Sequence, residues 1–172
     1  ILGPEKARLI LHMDQELSME EYKNWQKSFH RLVFEKVPVH YIINTKNFMG
    51  LDFFVDERVL IPRFDTEILV ETTLEEIKKI QPNLDEDIEI LELCTGSGAI
   101  PISVIHHTKG TNIKALDISL PALQVAKINR EELLTLEEQE RLTFIQSDLF
   151  ENVELPGGNS SFQGYHLISA TP

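Results

Sequence analysis

One stretch restricts the fold of this chain more than any other. Residues 88–100 read Ile-Glu-Ile-Leu-Glu-Leu-Cys-Thr-Gly-Ser-Gly-Ala-Ile. An apolar run suited to a buried parallel strand (Ile88, Ile90, Leu91, Leu93) stops at Thr95-Gly96-Ser97-Gly98, and a helix-compatible pattern begins at Ala99. Strand, glycine turn and helix in that order open a nucleotide-type site. Gly96 and Gly98 can adopt positive φ, and without a Cβ they let a ligand lie against the backbone. The helix that follows aims its free N–H groups and the positive end of its dipole at that ligand.

The turn also narrows the ligand. A third glycine of a dinucleotide pattern would fall at position 101, which is Pro101, and no Gly-Lys-Ser/Thr follows, so a P-loop is not expected. Glu92 within the strand, just ahead of Thr-Gly-Ser-Gly, is similar to the first motif of S-adenosylmethionine-dependent methyltransferases. The plainer alternative is a tight strand-to-helix turn with no ligand.

Strand and helix patterns alternate from Ile88 onward. Ile113 to Leu116 reads as a strand ending in Asp117, Ser119 caps a helix with Pro121 in its first turn, and Leu142 to Ile145 is a third strand ending near Asp148. Pro156 to Gly164 reads as a loop, and Tyr165 to Ser169 starts a fourth strand. Such alternation predicts a parallel sheet covered by helices, with ligands beyond the carboxyl ends of the strands. His106-His107 closes the helix after the glycine turn, and Glu131 to Arg141 is a charged, solvated segment.

Upstream the pattern changes. Residues 5–35 read as a helical pair. Ala7, Leu9, Ile10, Leu11 and Met13 form one apolar segment. Ser18 with Glu21 forms a capping box ahead of an apolar face of Met19, Tyr22, Trp25, Phe29, Leu32 and Val33. Core packing is the expected role of Trp25 and Phe29. Tyr41-Ile42-Ile43 and Phe48 to Val55 read as a hairpin separated by Asn44 to Asn47, with Gly50 near a second turn. After Ile61-Pro62-Arg63, Asp65 is placed to cap a helix from about Thr66 to Ile80. The expected organisation is therefore helices over 1–36, a hairpin linker over 37–62 and an α/β domain over 63–172.

Composition excludes several function classes. With 172 residues, 42% of them hydrophobic, the chain can bury one real core with a small appendage. A net charge of −12 argues against a sequence-independent grip on nucleic acid. It leaves room for a protein partner, a basic one above all. The single cysteine, Cys94, precludes an intrachain disulfide framework and suits a reducing cytoplasm. No apolar run approaches the roughly 20 residues that span a bilayer, and no signal peptide is expected. The six histidines show no ligand spacing, so no metal site is expected. A start at Ile1 rather than Met points to a fragment.

The strand ends suggest specific chemistry. Asp117 lies about 20 residues past the glycine turn, the spacing at which a carboxylate accepts both hydroxyls of a ribose. Asp148 is placed to accept from an exocyclic adenine amine, with Leu149 and Phe150 as an apolar wall. Glu92 can orient the turn or meet a ligand ammonium. An adenosine carrying cationic groups, as in S-adenosylmethionine, suits this acidic set, and methyl transfer requires neither a metal nor a covalent enzyme intermediate. Solvated carboxylates or helix caps are the plain alternative for each acid. Packing is the plain role for Cys94, although a thiol near a helix N-terminus can be reactive.

Several stretches together resemble the HemK/PrmC family of protein-glutamine N5-methyltransferases. They are Pro38-Val39-His40-Tyr41-Ile42, Phe48-Met49-Gly50, Leu60-Ile61-Pro62-Arg63-Phe64-Asp65-Thr66-Glu67-Ile68-Leu69-Val70-Glu71, Thr95-Gly96-Ser97-Gly98-Ala99-Ile100, Asp117-Ile118-Ser119 and Ser147-Asp148-Leu149-Phe150. The resemblance implies a Rossmann-like class I S-adenosylmethionine-dependent methyltransferase domain, preceded by a helical domain and a hairpin linker. The implied substrate is the glutamine of the Gly-Gly-Gln motif in peptide-chain release factors. It further implies that Glu92, Cys94, Thr95, Gly96, Ser97, Gly98, Asp117, Asp148 and Leu149 hold the cofactor. The Ile61 to Glu67 stretch, with Pro62 and Arg63 as its substrate-binding residues, would then lie near the substrate end of the pocket, and residues 5–35 would help dock the release factor.

Two positions depart from the family. Cys94 stands where glycine is usual, and Ala170-Thr171-Pro172 stands where Asn-Pro-Pro-Tyr is expected to follow the fourth strand. Ala170 cannot hold an amide through its side chain, so no catalytic residue is expected here. The expectation is a truncated, impaired form of the enzyme, lacking the last strands of the sheet. The alternatives are an adenine-N6 nucleic-acid methyltransferase, which shares that motif, and a catalytically inactive cofactor-binding or protein-interaction module.

Overall fold

The computed structural model describes residues 16–84, 86–153 and 164–170. The expected helix over 5–15 and most of the loop over 156–164 lie outside the described residues. The chain forms two compact units, Ile1–Ile42 and Ile43–Pro172.

In the first unit, helix α1 spans Met19–Val33. Its capping box forms as expected: the Glu21 N–H donates to Ser18 Oγ at 3.3 Å, and the Ser18 N–H donates to Glu21 Oε2 at 2.8 Å. The core role expected of Trp25 and Phe29 is not found. Both are exposed and stack with ring centroids 5.3 Å apart, continuing a stack from Tyr22. The apolar stripe is therefore real, and no residue of α1 is buried.

The expected strand at Tyr41-Ile42-Ile43 is instead part of a short helix, α2, Val39–Ile43. The Tyr41 N–H donates to the Pro38 carbonyl at 3.0 Å, closing a turn that Pro38 initiates, and Asn44 at φ 54° ends it. The hairpin begins one residue later, as antiparallel β1 (Thr45–Phe48) and β2 (Leu51–Phe54). Met49 at φ 50° and Gly50 at φ 79° form its two-residue loop. Positive φ at both positions matches the right-handed twist of the strands. The Met49 N–H donates to Glu67 Oε1 at 2.9 Å, which ties this turn to the next helix. Phe48 and Phe53 are fully buried and meet edge to face.

Helix α3, Phe64–Ile80, starts two residues before the expected start at Thr66. Its N-cap residue is Arg63, extended at φ −95° and ψ 149°, with no side-chain capping bond. Asp65 falls in the first turn, where a carboxylate complements the helix dipole rather than capping an N–H. A 3-10 turn, Gln81–Asn83, follows.

Four parallel strands form the sheet of the second unit: β3 (Ile88–Leu93), β4 (Thr111–Asp117), β5 (Leu142–Gln146) and β6 (Leu167–Ala170). Their order is β5-β4-β3-β6. The chain moves outward from β3 to β5 and then returns to the other side of β3. That reversal makes the carboxyl end of β3 the switch point at which such sheets bind ligands. The architecture is a Rossmann-like α/β fold, as the alternating pattern predicts.

Helix α4, Ala99–His107, follows the glycine turn, and every residue from Ala99 to Ile105 is buried. An all-round apolar helix needs such a setting. His106-His107 closes it as expected. Helix α5, Leu120–Leu133, is capped by Ser119 with Pro121 in its first turn. It extends into the charged segment, and a second capping box, Thr135 with Glu138, starts a further helix, α6, Leu136–Glu140. Arg141 then donates to the carbonyls of Ile105, Thr108 and Thr111, joining the end of α4 to the start of β4.

Asn129 on α5 is fully buried and joins three parts of the unit. Its Oδ1 accepts from the Phe54 N–H at 2.7 Å, and its Nδ2 donates to the Phe54 carbonyl at 3.0 Å and to the Ser97 carbonyl at 2.9 Å. Hairpin, helix and glycine turn thereby share one amide. Asn129→Ala leaves three backbone groups without that partner. It is expected to lower the unfolding free energy in urea by roughly 2–5 kcal/mol. A change near zero would mean that water replaces the amide at no cost.

Candidate functional site

The glycine turn departs from the extended β3 through three left-handed residues: Cys94 at φ 61°, Gly96 at φ 56° and Gly98 at φ 78°. Left-handed backbone costs a non-glycine residue about 1–2 kcal/mol, so Cys94 carries strain that glycine would not. Gly98 is required by packing as well. A Cβ there would lie 3.0 Å from Ile102 Cδ1, 3.2 Å from Ala126 Cβ and 3.3 Å from Phe144 Cζ. Around Gly96 no atom lies within 4 Å of the Cβ position. Gly98 lets α4 pack against α5, whereas Gly96 leaves space.

That space is a cleft of about 600 Å³, within the range of small-molecule sites. Cys94, Thr95, Gly96 and Ser97 line it together with Asp117 and Ser119 from the end of β4. Ile61, Pro62, Arg63, Asp65, Thr66 and Leu69 also line it, as do Arg58 and, from β6, Ala170. Two stretches about 30 residues apart, Ile-Pro-Arg-x-Asp-Thr and Cys-Thr-Gly-Ser, thus meet in one cavity.

Asp117 is fixed by two backbone N–H groups. Its Oδ2 accepts from the Gly96 N–H at 2.8 Å and its Oδ1 from the Ser119 N–H at 2.9 Å. Each oxygen keeps a lone pair, so the carboxylate can accept two further hydroxyls while its position is fixed.

Glu92 sits differently. It is 1% exposed and is not among the residues lining the cleft. Thr95 Oγ1 donates to its Oε2 at 2.7 Å, while Oε1 is buried with no partner. Burial pushes its carboxyl up to about 8, against the Thr95 hydrogen bond and with help from the Asp117 charge. Of the two roles expected for Glu92, orienting the turn has a visible contact. Cys94 is exposed in the cleft rather than packed in the core. Burial, Asp117 and Glu92 all push its thiol upward, away from the reactive thiolate.

Asp148, Leu149 and Phe150 are exposed and do not line the cleft. Their loop is shaped by Ser147, whose Oγ donates to the Leu149 carbonyl at 2.8 Å and accepts from the Asn152 N–H at 3.0 Å. Leu149 takes φ 47° there. Among the described residues, no group of three His, Cys, Asp or Glu is placed to hold a metal, and no helix is long and apolar enough to cross a membrane.

The stretch expected near the substrate, Ile61 to Glu67, lines the cleft through Ile61, Pro62, Arg63, Asp65 and Thr66, while Arg58 and Leu69 were not singled out by sequence reasoning. Glu67 anchors the hairpin turn rather than the cleft. Arg58 lines the cleft while gripping both oxygens of Asp56. Thr66 and Leu69 line it one helical turn apart. The Asp56-Glu57-Arg58 pattern was a signal available in the sequence; the burial of Asn129 behind the turn was not.

Fold and cleft together define a Rossmann-like α/β domain with a cleft at the switch point of its sheet. Comparison with known proteins places it further. The chain is 38% identical over 155 residues to the release factor glutamine methyltransferase of Clostridium acetobutylicum, covering 86% of this chain and 49% of that protein. It is 34% identical over 151 residues to the protein of the same name from Bacillus subtilis, covering 87% and 49%. The chain is therefore homologous to the release factor glutamine methyltransferases, and it spans about half the length of the curated relatives it matches. Among solved structures, an S-adenosylmethionine-dependent methyltransferase from Agrobacterium tumefaciens matches with a TM-score of 0.46 and 16% identity, over 63% of this chain and 34% of that one. No protein-family model matches the chain.

The two glycines predict opposite phenotypes. Gly98→Ala should destabilise the fold by about 1–3 kcal/mol, read as a lowered urea midpoint. Gly96→Ala should cost only about 1 kcal/mol of stability while filling space that a ligand would occupy. Equal losses of stability would contradict the packing distinction. Glu92 makes stability depend on pH. The folded chain retains a proton that the unfolded chain releases near pH 4.5, so stability should fall as pH rises from 4.5 to about 8. Glu92→Gln should flatten that part of the profile; an unchanged slope would assign it to other groups.

Proposed function

We propose that this chain carries the cofactor-binding half of an S-adenosylmethionine-dependent protein-glutamine N5-methyltransferase. Its acceptor would be the glutamine of the Gly-Gly-Gln motif of a peptide-chain release factor, in the cytoplasm. The names of its curated relatives support the reaction class. The observation that carries the reading is the Asp117 carboxylate fixed by the Gly96 N–H, in a cleft that also collects Pro62, Arg63 and Thr66.

The residues present fit such a cofactor. Gly96 leaves room against the backbone, and Asp117 retains acceptor capacity for ribose hydroxyls. The N-terminal end of α4 offers backbone N–H groups on the same side. Asp148 and Leu149, exposed on the loop after β5, would serve the adenine. S-adenosylmethionine supplies an electrophilic methyl group; the protein's task is to orient the amide nitrogen and keep water out. Pro62 and Arg63 would form the acceptor end of the cleft. Residues 1–36 would belong to the release-factor docking domain, with 37–62 as linker to the transferase domain over 63–172.

Ala170 favours a second reading. It lines the cleft at the position where the resemblance places asparagine, and its methyl group cannot bond an amide. Binding without efficient turnover would follow.

Calorimetry with S-adenosylmethionine, then labelled methyl transfer to a release factor and to duplex DNA, tests both readings. Saturable binding with slow incorporation into the release-factor glutamine is expected. Binding with no incorporation into either acceptor selects the inactive module. Label in DNA, or no binding to the folded chain, overturns the proposal.

A further inference from the structure

Helix α3 runs away from the cleft with an apolar patch uncovered. Phe64 is 76% exposed, and Ile68, one turn further on, is 61% exposed. Residues four apart on a helix are surface neighbours, so the two side chains form one patch. The packing face of α3 lies elsewhere, at the buried Val70, Thr73 and Ile77. A single exposed apolar residue needs no explanation. Here two stand together, directly after Pro62 and Arg63 at the acceptor end of the cleft.

The patch continues into charge. From Phe64 to Ile77 the helix carries five acids and no Lys or Arg. Three of them have local roles. Asp65 complements the dipole in the first turn, Glu67 accepts from the Met49 N–H, and Glu76 pairs with Lys79 at 2.7 Å. Glu71 and Glu75 are exposed and lie beyond the first turn. Like charges four apart weaken a helix slightly, so the folding of α3 does not call for them. Phe64, Ile68, Glu71 and Glu75 follow one another at spacings of four, three and four. That spacing places all four on a single stripe, apolar near the cleft and acidic away from it.

We propose that this stripe docks the stretch of the acceptor protein next to its target glutamine, and that this stretch carries apolar side chains followed by Lys or Arg. The proposal rests on the acceptor reading above and adds how the acceptor is held outside the cleft. The stripe is about 16 Å long, which an extended segment of about five residues spans. Its apolar end supplies contact area, and its acidic end selects a basic segment and sets its direction. A second copy of this chain suits the stripe poorly, because it would bring the same acids and a net charge of −12 against it.

Binding of S-adenosylmethionine and of a peptide-chain release factor is measured for the full chain and for two double variants, Phe64→Ser with Ile68→Ser and Glu71→Lys with Glu75→Lys. Both variants should bind S-adenosylmethionine within about twofold of the native chain, which also shows that they are folded. Loss of the apolar pair should weaken the release factor by about tenfold or more. Reversal of the acids should weaken it at low salt, and the difference from the native chain should shrink as salt is raised. Ile68→Ser alone, a turn away from the cleft, repeats the test without altering Phe64. Native-like release-factor binding in both double variants overturns this proposal and leaves the acceptor reading standing. Dimers of the native chain in sedimentation equilibrium that the Phe64→Ser, Ile68→Ser variant loses give the surface to a second copy and also overturn it. If the native chain binds S-adenosylmethionine but no release factor, the acceptor reading fails along with the docking surface.

Discussion

The second unit depends on one buried amide. Asn129 sits on α5, yet all three of its hydrogen bonds go to backbone outside that helix: two to Phe54 and one to Ser97. Phe54 ends the hairpin, and Ser97 lies within the glycine turn. A polar group this deep is tolerated only because it satisfies, and is satisfied by, carbonyls and an N–H that would otherwise be unpaired. Its consequence is positional. The segment from Asp56 to Arg63 leaves the hairpin at Phe54, so the amide that holds Phe54 also sets where the Ile-Pro-Arg stretch enters the cleft.

The turn itself combines strain with clearance. Gly98 is required because α4 approaches α5 and Phe144 too closely for a Cβ, while the space beside Gly96 remains open. Cys94 tolerates a left-handed backbone, and Asp117 locks the turn from the neighbouring strand. Beneath it, the Glu92 carboxyl, its pKa raised by burial, accepts a hydrogen bond from the Thr95 hydroxyl without placing a permanent charge in the core. The acidic character of the site is therefore distributed: Asp117 faces the cleft, Glu92 stays behind it, and Asp65 lies at the entrance of α3.

Much of this was legible in the sequence, for identifiable reasons. β3, the glycine turn and α4 announce themselves because an apolar run, two glycines and a second apolar run change period abruptly. The capping box at Ser18 is a local, three-residue feature and is read as such, whereas the equivalent box at Thr135 goes unread inside a segment that its charge marks as solvated. The misreadings came where local propensity competes with a turn. Tyr41-Ile42-Ile43 is β-branched and aromatic, yet Pro38 starts a helical turn and Asn44 ends it. Asp65 has the chemistry of a cap, but the extended Arg63 starts the helix earlier. Trp25 and Phe29 obey helical periodicity, which identifies a face and cannot say whether that face is covered.

By itself the sequence determined the order of elements, the parallel sheet, the glycine turn and the acid at the end of the second strand. Each is set by residue type and short-range periodicity. Only the tertiary structure decided which of these residues share a cavity. The strand order brings Asp117 against Gly96 across the switch point, and the hairpin returns residues 58–66 to the same cleft. It also decided that Glu92 is buried and Asp65 open, although both are acids beside glycine- or proline-punctuated turns. Solvation separates them, and solvation depends on neighbours distant in the chain, which no local pattern records.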